Sequence, residues 1–267
     1  MSTLPGRSGD NGPDPWAVLR GATRARVALG RAGDGLPTAR ELEFRLAHAV
    51  ARDAVHTALD PEVVRAGLDG LPVVEVHSAA ADRAEYLQRP DLGRRLAPGW
   101  SLPRPEADVA IVLADGLSPR AVHEHGAALT TALLDRLADW SVGPVVLAAQ
   151  ARVALGDEIG AALGARVVLV LIGERPGLSA ADSLGIYLTW APRPGRTDSE
   201  RNCVSNVRPP HGLGYAEAAD LVLRLLEGAR ELGASGVALK DEGPSLPSES
   251  GHRSPPGIPA GADPRTG

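Results

Sequence analysis

A single cysteine in 267 residues, Cys203, rules out an internal disulfide and any multi-cysteine metal site. Taken alone, it reads as a small buried hydrophobe. Aromatic residues are nearly as scarce at 3% of the chain, so a core has to be built from Val, Leu, Ile and Ala, which suits a parallel sheet covered by helices. No apolar run reaches the roughly 18 residues a membrane span needs, and the opening MSTLPGRSGDNGPDP lacks a hydrophobic signal core. The expectation is a soluble, cytoplasmic protein with no membrane contact. Nor is there a basic domain: the formal net charge is −5, which argues against nucleic acid as a partner. Catalytic signatures are missing too. There is no G-x-S-x-G elbow, no phosphate-binding G-x-x-x-x-G-K-[ST] and no H-E-x-x-H, and the seven histidines show no ligand spacing, so neither catalytic nor metal residues are assigned. Gly30, Gly33 and Gly35 miss the G-x-G-x-x-G spacing and follow no strong strand, which disfavours a nicotinamide-dependent dehydrogenase.

What the chain does contain is an alternation of short apolar runs and amphipathic stretches. Val167 to Ile172 is six aliphatic residues without alternation, the pattern of a strand buried on both faces. Asp108 to Ala114 and Pro144 to Ala149 read the same way, Val73 to His77 as an edge strand with His77 a strand histidine, and Gly185 to Trp190 as a further strand. Between them, Ser118 offers an N-cap with Pro119 at the first helical position. Asp157 to Leu163 forms a helix stopped by Gly164, and Glu217 to Leu232 one stopped by Gly233. Thr38 and Glu41 make a capping box ahead of a helix over about 38–58, striped by Leu42, Leu46, Ala49 and Val50. This pattern predicts an α/β fold, a doubly wound, mostly parallel sheet with flanking helices (Rossmann-like). Residues 1–14 form a disordered tail, 15–100 an N-terminal helical and loop region, 101–240 the sheet domain and 241–267 a second disordered tail.

Ligands of such sheets sit beyond the carboxyl ends of the strands, where loops at Asp115, Arg152 and Glu174 would share one edge. Gly173-Glu174-Arg175-Pro176-Gly177 places a carboxylate and a guanidinium on a tight turn there. Arg201 to Asn206 adds two asparagines, a serine and Cys203, a neutral lining able to read an amide-rich ligand. Two arginine-rich stretches, Arg24 to Arg31 and Arg89 to Arg95, read as interface or loop-bracing segments. From these residues alone, a ligand-binding or accessory subunit fits better than a self-contained enzyme.

The segments TRARVALGRAGDGLPT, YLQRPDLGRRL, ADGLS, ARVALGDEIG, VLIGERPGLSAADSL and RNCVSN occur in that order, and together they resemble the small subunit of ethanolamine ammonia-lyase over about residues 15–240. That resemblance implies a subunit of an adenosylcobalamin-dependent lyase converting ethanolamine to acetaldehyde and ammonia. It implies a catalytic large subunit as partner, with six copies of each chain, and places the substrate site and radical chemistry on that partner. It also implies cobalamin contacts at Val153, Glu174 and Cys203; the alternative to this reading is a stand-alone nucleotide- or cobalamin-binding module without a catalytic partner. Family members packaged in bacterial microcompartments often carry a longer N-terminal extension than the 14 residues preceding Pro15 and Trp16 here, which leaves that location open.

Overall fold

The computed structural model describes residues 16–240, and both tails read as disordered, 1–14 and 241–267, lie outside them. Three helices come first: α1 (Ala17–Ala22), α2 (Thr38–His56) and α3 (Pro61–Ala66). Then follow β1 (Val73–His77), α4 (Arg83–Gln88), β2 (Val109–Ala114), α5 (Pro119–Ala121) and α6 (Ala127–Leu134), the last two joined by a π-helical turn at Val122–Gly126. The remainder is β3 (Val145–Ala149), α7 (Leu155–Leu163), β4 (Val167–Gly173), β5 (Leu184–Trp190), β6 (Arg201–Val207) and α8 (Tyr215–Leu232).

All six strands form one sheet in the order β1-β3-β2-β4-β5-β6. The first four are parallel, with β1 at the edge as its loose alternation predicts. β5 and β6 return antiparallel. The reason lies in the connection: a parallel return needs a crossover of a dozen or more residues, usually helical. The segment between β4 and β5, residues 174–183, is only ten residues long and contains no helix, so the chain doubles back.

Strand alternation sorts the core into two layers. Ile111, Leu113, Leu147, Leu169, Leu171 and Ile186 pack on one face against Leu129 and Leu133 of α6 and Val222 and Leu226 of α8. On the other, Val112, Val146, Val168 and Val170 pack against Leu155, Ile159 and Leu163 of α7. Small residues let α7 sit close: a Cβ on Gly156 would come within 2.3 Å of Val170 Cγ2, and one on Gly160 within 2.6 Å of Pro192 Cγ. At the helix end Gly164 is left-handed, as is Gly233 after α8, so both predicted stops hold. Ser118 caps α5 by accepting from the Ala121 N–H, with Pro119 in the first turn.

α2 forms where the pattern places it but begins differently. Pro37 occupies the N-cap position, so Thr38 is already helical and no capping box forms, and Glu41 instead accepts from Arg45 Nη2 at 2.6 Å. Its apolar stripe is also uncovered, Leu42 being 59% and Leu46 67% exposed, while only Ala54 of the helix is buried. Among the described residues no helix is long and apolar enough to cross a membrane.

Candidate functional site

Adjacent strands β2 and β3 send their following helices to opposite faces, which in an open α/β sheet creates a crevice between their carboxyl ends. Here the chain fills that crevice itself. Asp115, 1% exposed, accepts from the Gln150 and Ala151 N–H groups at 2.8 Å each and from Arg83 Nη1 at 3.2 Å. Burial pushes the Asp115 carboxyl up, and the Arg83 charge with these amide bonds holds it back. Arg83 and Arg152 both stack on the fully buried ring of Tyr86, whose hydroxyl donates to the Ala151 carbonyl at 3.1 Å. The loops at Asp115, Arg152 and Glu174 do share one edge of the sheet, but the ligand position must be sought away from the crevice.

It opens one strand further along. The Glu174 N–H donates to the Ser183 carbonyl at 2.9 Å, so β4 and β5 stay paired one residue beyond Gly173. The tight turn comes later than predicted, where the Gly177 N–H donates to the Ala180 carbonyl at 2.8 Å. Glu174 is half-buried, Arg175 is exposed, and the two do not pair. Three donors hold the Glu174 carboxylate instead: Ser183 Oγ at 2.5 Å, Ser205 Oγ, and the Asn206 N–H at 3.4 Å. A carboxylate has about four acceptor positions, so acceptor capacity remains. The loop that carries it is locked from below by close backbone approach. Gly116 has φ +54°, and a Cβ there would lie 2.2 Å from the Gly173 carbonyl oxygen, which accepts from the Leu117 N–H at 2.9 Å.

The Arg201 to Asn206 segment is part of edge strand β6. Between Leu184↔Val207 and Ile186↔Val204 it holds one residue more than β5, a bulge, with Asn206 left-handed at φ +62°. The bulge brings Ser205 and the Asn206 amide together on Glu174. Asn202 faces the other way, binding the backbone at Gly236 and Leu239, so it does not line the site. Cys203 is exposed, contrary to its reading as a buried hydrophobe, because it alternates onto the face of β6 opposite buried Val204. Its strand partner is Tyr187. Although the residue lies at the surface, the sheet beneath it excludes water from the sulfur, and burial pushes the thiol up, with Tyr187 opposing and Glu174 reinforcing. The Tyr187 phenol is pushed up to about 12, chiefly by burial and then by Cys203 and Glu174. Between these groups Gly185 keeps the floor low: a Cβ there would sit 2.9 Å from Glu174 Oε1.

Glu174, Tyr187, Cys203 and Ser205 therefore form an open polar floor on the α7 face of the sheet, while α8 covers the reverse of the same strands. Val153 lies on that face too, packed against the α7-side core at the head of α7, where a helix has N–H groups without internal acceptors. It also lines a cavity of about 630 Å³ with Arg94, Arg95, Arg152 and Arg196. Arg94 and Arg95 thus flank this cavity, while Arg89 braces its own loop by pairing with Asp91.

Ser183 and Tyr187 escaped sequence reasoning, though the period-two alternation of β5, with Leu184, Ile186 and Leu188 facing α8, was the signal that could place Tyr187 on the opposite face. Arg201 and Asp157 were missed as a pair. Their side chains are each 2% exposed, and Arg201 Nη1 and Nη2 donate to the two Asp157 oxygens at 2.7 Å each, tying β6 to α7 beside the floor.

Comparison with known proteins gives a consistent pattern. A family model described as "Ethanolamine ammonia-lyase light chain (EutC)" matches residues 13–240. Three curated relatives bear the name "Ethanolamine ammonia-lyase small subunit". The protein of Rhodococcus erythropolis is 56% identical over 232 residues, 85% of this chain and 90% of its own. That of Xanthomonas campestris pv. campestris is 56% identical over 242 residues, 86% and 88% respectively. That of Ralstonia nicotianae is 52% identical over 252 residues, 90% and 93%.

Proposed function

The chain belongs to the ethanolamine ammonia-lyase light-chain family, as the small subunit of this lyase, and from that premise we propose that its open sheet floor holds cobalamin against a large subunit. The observation that carries the reading is the bare α7-side floor of β4–β6, which Glu174 and Cys203 share, with Val153 on the same face. Corrin side chains end in primary amides, which donate and accept, and a carboxylate with spare acceptor positions suits them. Glu174 is set in place before any ligand arrives by Ser183, Ser205 and the Asn206 amide, so little ordering has to accompany binding. Val153, Glu174 and Cys203 are the proposed cofactor contacts. Adenosylcobalamin would supply the radical chemistry that turns ethanolamine into acetaldehyde and ammonia. This chain's residues bind, orient and exclude water, and the substrate site belongs to the large subunit.

A partner chain is further supported by the N-terminal helices. Leu42 and Leu46, one turn apart on the same face of α2, are exposed, as are Val18 and Leu19 of α1, and an apolar stripe left in the open marks an interaction site rather than a solvated face. The proposed assembly contains both chains in equal number, six of each, and residence in a microcompartment stays a matter for its own localisation experiment.

Co-expression with the large chain, followed by sizing and an absorbance spectrum, tests the reading. The expected result is one hetero-oligomeric species that carries the cobalamin spectrum, with no ethanolamine turnover by the small chain alone. Separate elution of the two chains, or turnover by the isolated small chain with adenosylcobalamin, would refute it.

A further inference from the structure

On the α8 side of the loop between β4 and β5, away from the floor, three side chains converge that the proposed function does not use. Glu124 and His125 stand in the π-helical turn after α5, a type of turn that recurs at functional sites. Asp182 comes from the loop itself, next to Ser183. One ligand atom from each of the three lies within 4.8 Å of the others.

Each of these side chains is held from behind. Tyr215 Oη lies 2.8 Å from His125 Nδ1, Arg120 Nε donates to Glu124 Oε1 at 2.6 Å, and Arg208 donates through Nε at 3.0 Å and Nη2 at 2.5 Å to the same Asp182 oxygen, Oδ1. His125 Nε2 is left without a hydrogen-bond partner, and the arginines occupy one oxygen of each carboxylate. His125 is only 7% exposed, and its Nε2 is buried with no hydrogen-bond partner, an arrangement native interiors avoid unless something binds there. The gap from Nε2 to Asp182 Oδ2 is 3.8 Å, too long for a hydrogen bond. An ion about 2.0–2.2 Å from each atom would span it with little movement.

We propose that Glu124, His125 and Asp182 form a binding site for a divalent transition-metal ion of the zinc class, with water completing the coordination. One imidazole with two carboxylates favours such an ion over magnesium or calcium, which take oxygen ligands alone. Tyr215 can accept from Nδ1–H, which leaves Nε2 as a bare lone pair, the usual outer-shell arrangement for a metal-bound histidine. Arg120 and Arg208 balance the carboxylates when no ion is bound. An ion here would tie the helix after β2 to the loop whose Ser183 steadies Glu174. The inference does not rest on cobalamin binding.

The test is titration of the full-length, chelator-stripped chain with Zn²⁺ by calorimetry, and with Co²⁺ by visible absorbance, Mg²⁺ serving as competitor. Expected are one equivalent of Zn²⁺ per chain, a Co²⁺ spectrum in the visible, no displacement by Mg²⁺, and no change in His211→Ala. His125→Gln and Asp182→Asn should each bind at least tenfold more weakly, and Tyr215→Phe about 10–100-fold more weakly. Glu124→Gln sits on the exposed rim, so it reports the same loss without threatening the fold. Absence of Zn²⁺ binding in the folded wild type, or wild-type Zn²⁺ affinity in both Glu124→Gln and His125→Gln, would overturn the proposal.

Discussion

Replacing Arg201 by methionine should be among the most damaging single changes to this protein. The guanidinium is buried and bidentate to Asp157. Beyond those two bonds, Nη1 donates to Thr189 Oγ1 at 2.8 Å and Nη2 to the Arg196 carbonyl at 3.0 Å. Methionine fills most of the aliphatic volume and supplies none of the donors. A carboxylate, a hydroxyl and a carbonyl are then left in an interior closed to water. Breaking one side of a buried ion pair costs about 3–5 kcal/mol. Asp157 lies in the first turn of α7, where the helix dipole returns only about 0.3–1 kcal/mol, so the lower part of that range is the firm expectation. For a chain of this size each kcal/mol lowers Tm by about 2–4 °C, which at about 3–4 kcal/mol makes the expected fall about 6–16 °C. Thermal and urea unfolding followed by circular dichroism would measure it. The double variant Arg201→Met/Asp157→Leu removes both charges and should regain much of the loss, since apolar replacement of a buried pair is often neutral. An Arg201→Met protein within about 1 kcal/mol of wild type, or a double variant no better than the single one, would show that the pair does not hold β6 to α7.

Glu174→Gln exchanges charge-assisted acceptor bonds for neutral ones, and a loss of about 1.5–3 kcal/mol is expected. Cobalamin retained by the assembled complex should drop about tenfold or more while assembly persists, and unchanged retention in a destabilised protein would remove Glu174 from the site. Gly116→Ala should destabilise by more than the roughly 1–2 kcal/mol that a left-handed residue costs, because the new Cβ meets the Gly173 carbonyl. A neutral result in urea unfolding would contradict that interlock. At Cys203 the raised thiol pKa means less thiolate at a given pH, so alkylation by iodoacetamide should be slower than that of a free thiol at neutral pH and should climb through the alkaline range. Faster labelling than a free thiol at neutral pH would refute the assignment. Slowed labelling when the complex holds cobalamin is the further expected outcome.

Much of the frame is legible in the residues because it depends on near neighbours. β4 is six aliphatic residues plus glycine and lies buried from end to end; Ser118-Pro119 begins a helix, and Gly164 and Gly233 end two others. Each is a short-range pattern that any tertiary setting would respect. The stripe on α2 is equally local and marks the helix, but among the described residues nothing covers Leu42 and Leu46, so periodicity identified the element without telling what its apolar face meets. The site depended on register and on contacts between distant residues. Glu174 meets Ser205 across 31 positions only because a bulge adds one residue to β6, and Arg201 meets Asp157 across 44 positions only because β6 returns antiparallel beside β5. A one-residue slip in either pairing would turn those side chains to the opposite face. Composition and spacing carry no information about that choice. It is made when the sheet closes its ladders and buries the most apolar surface. The same packing lets Arg83, Tyr86 and Asp115 fill the crevice and leaves the floor of β4–β6 open.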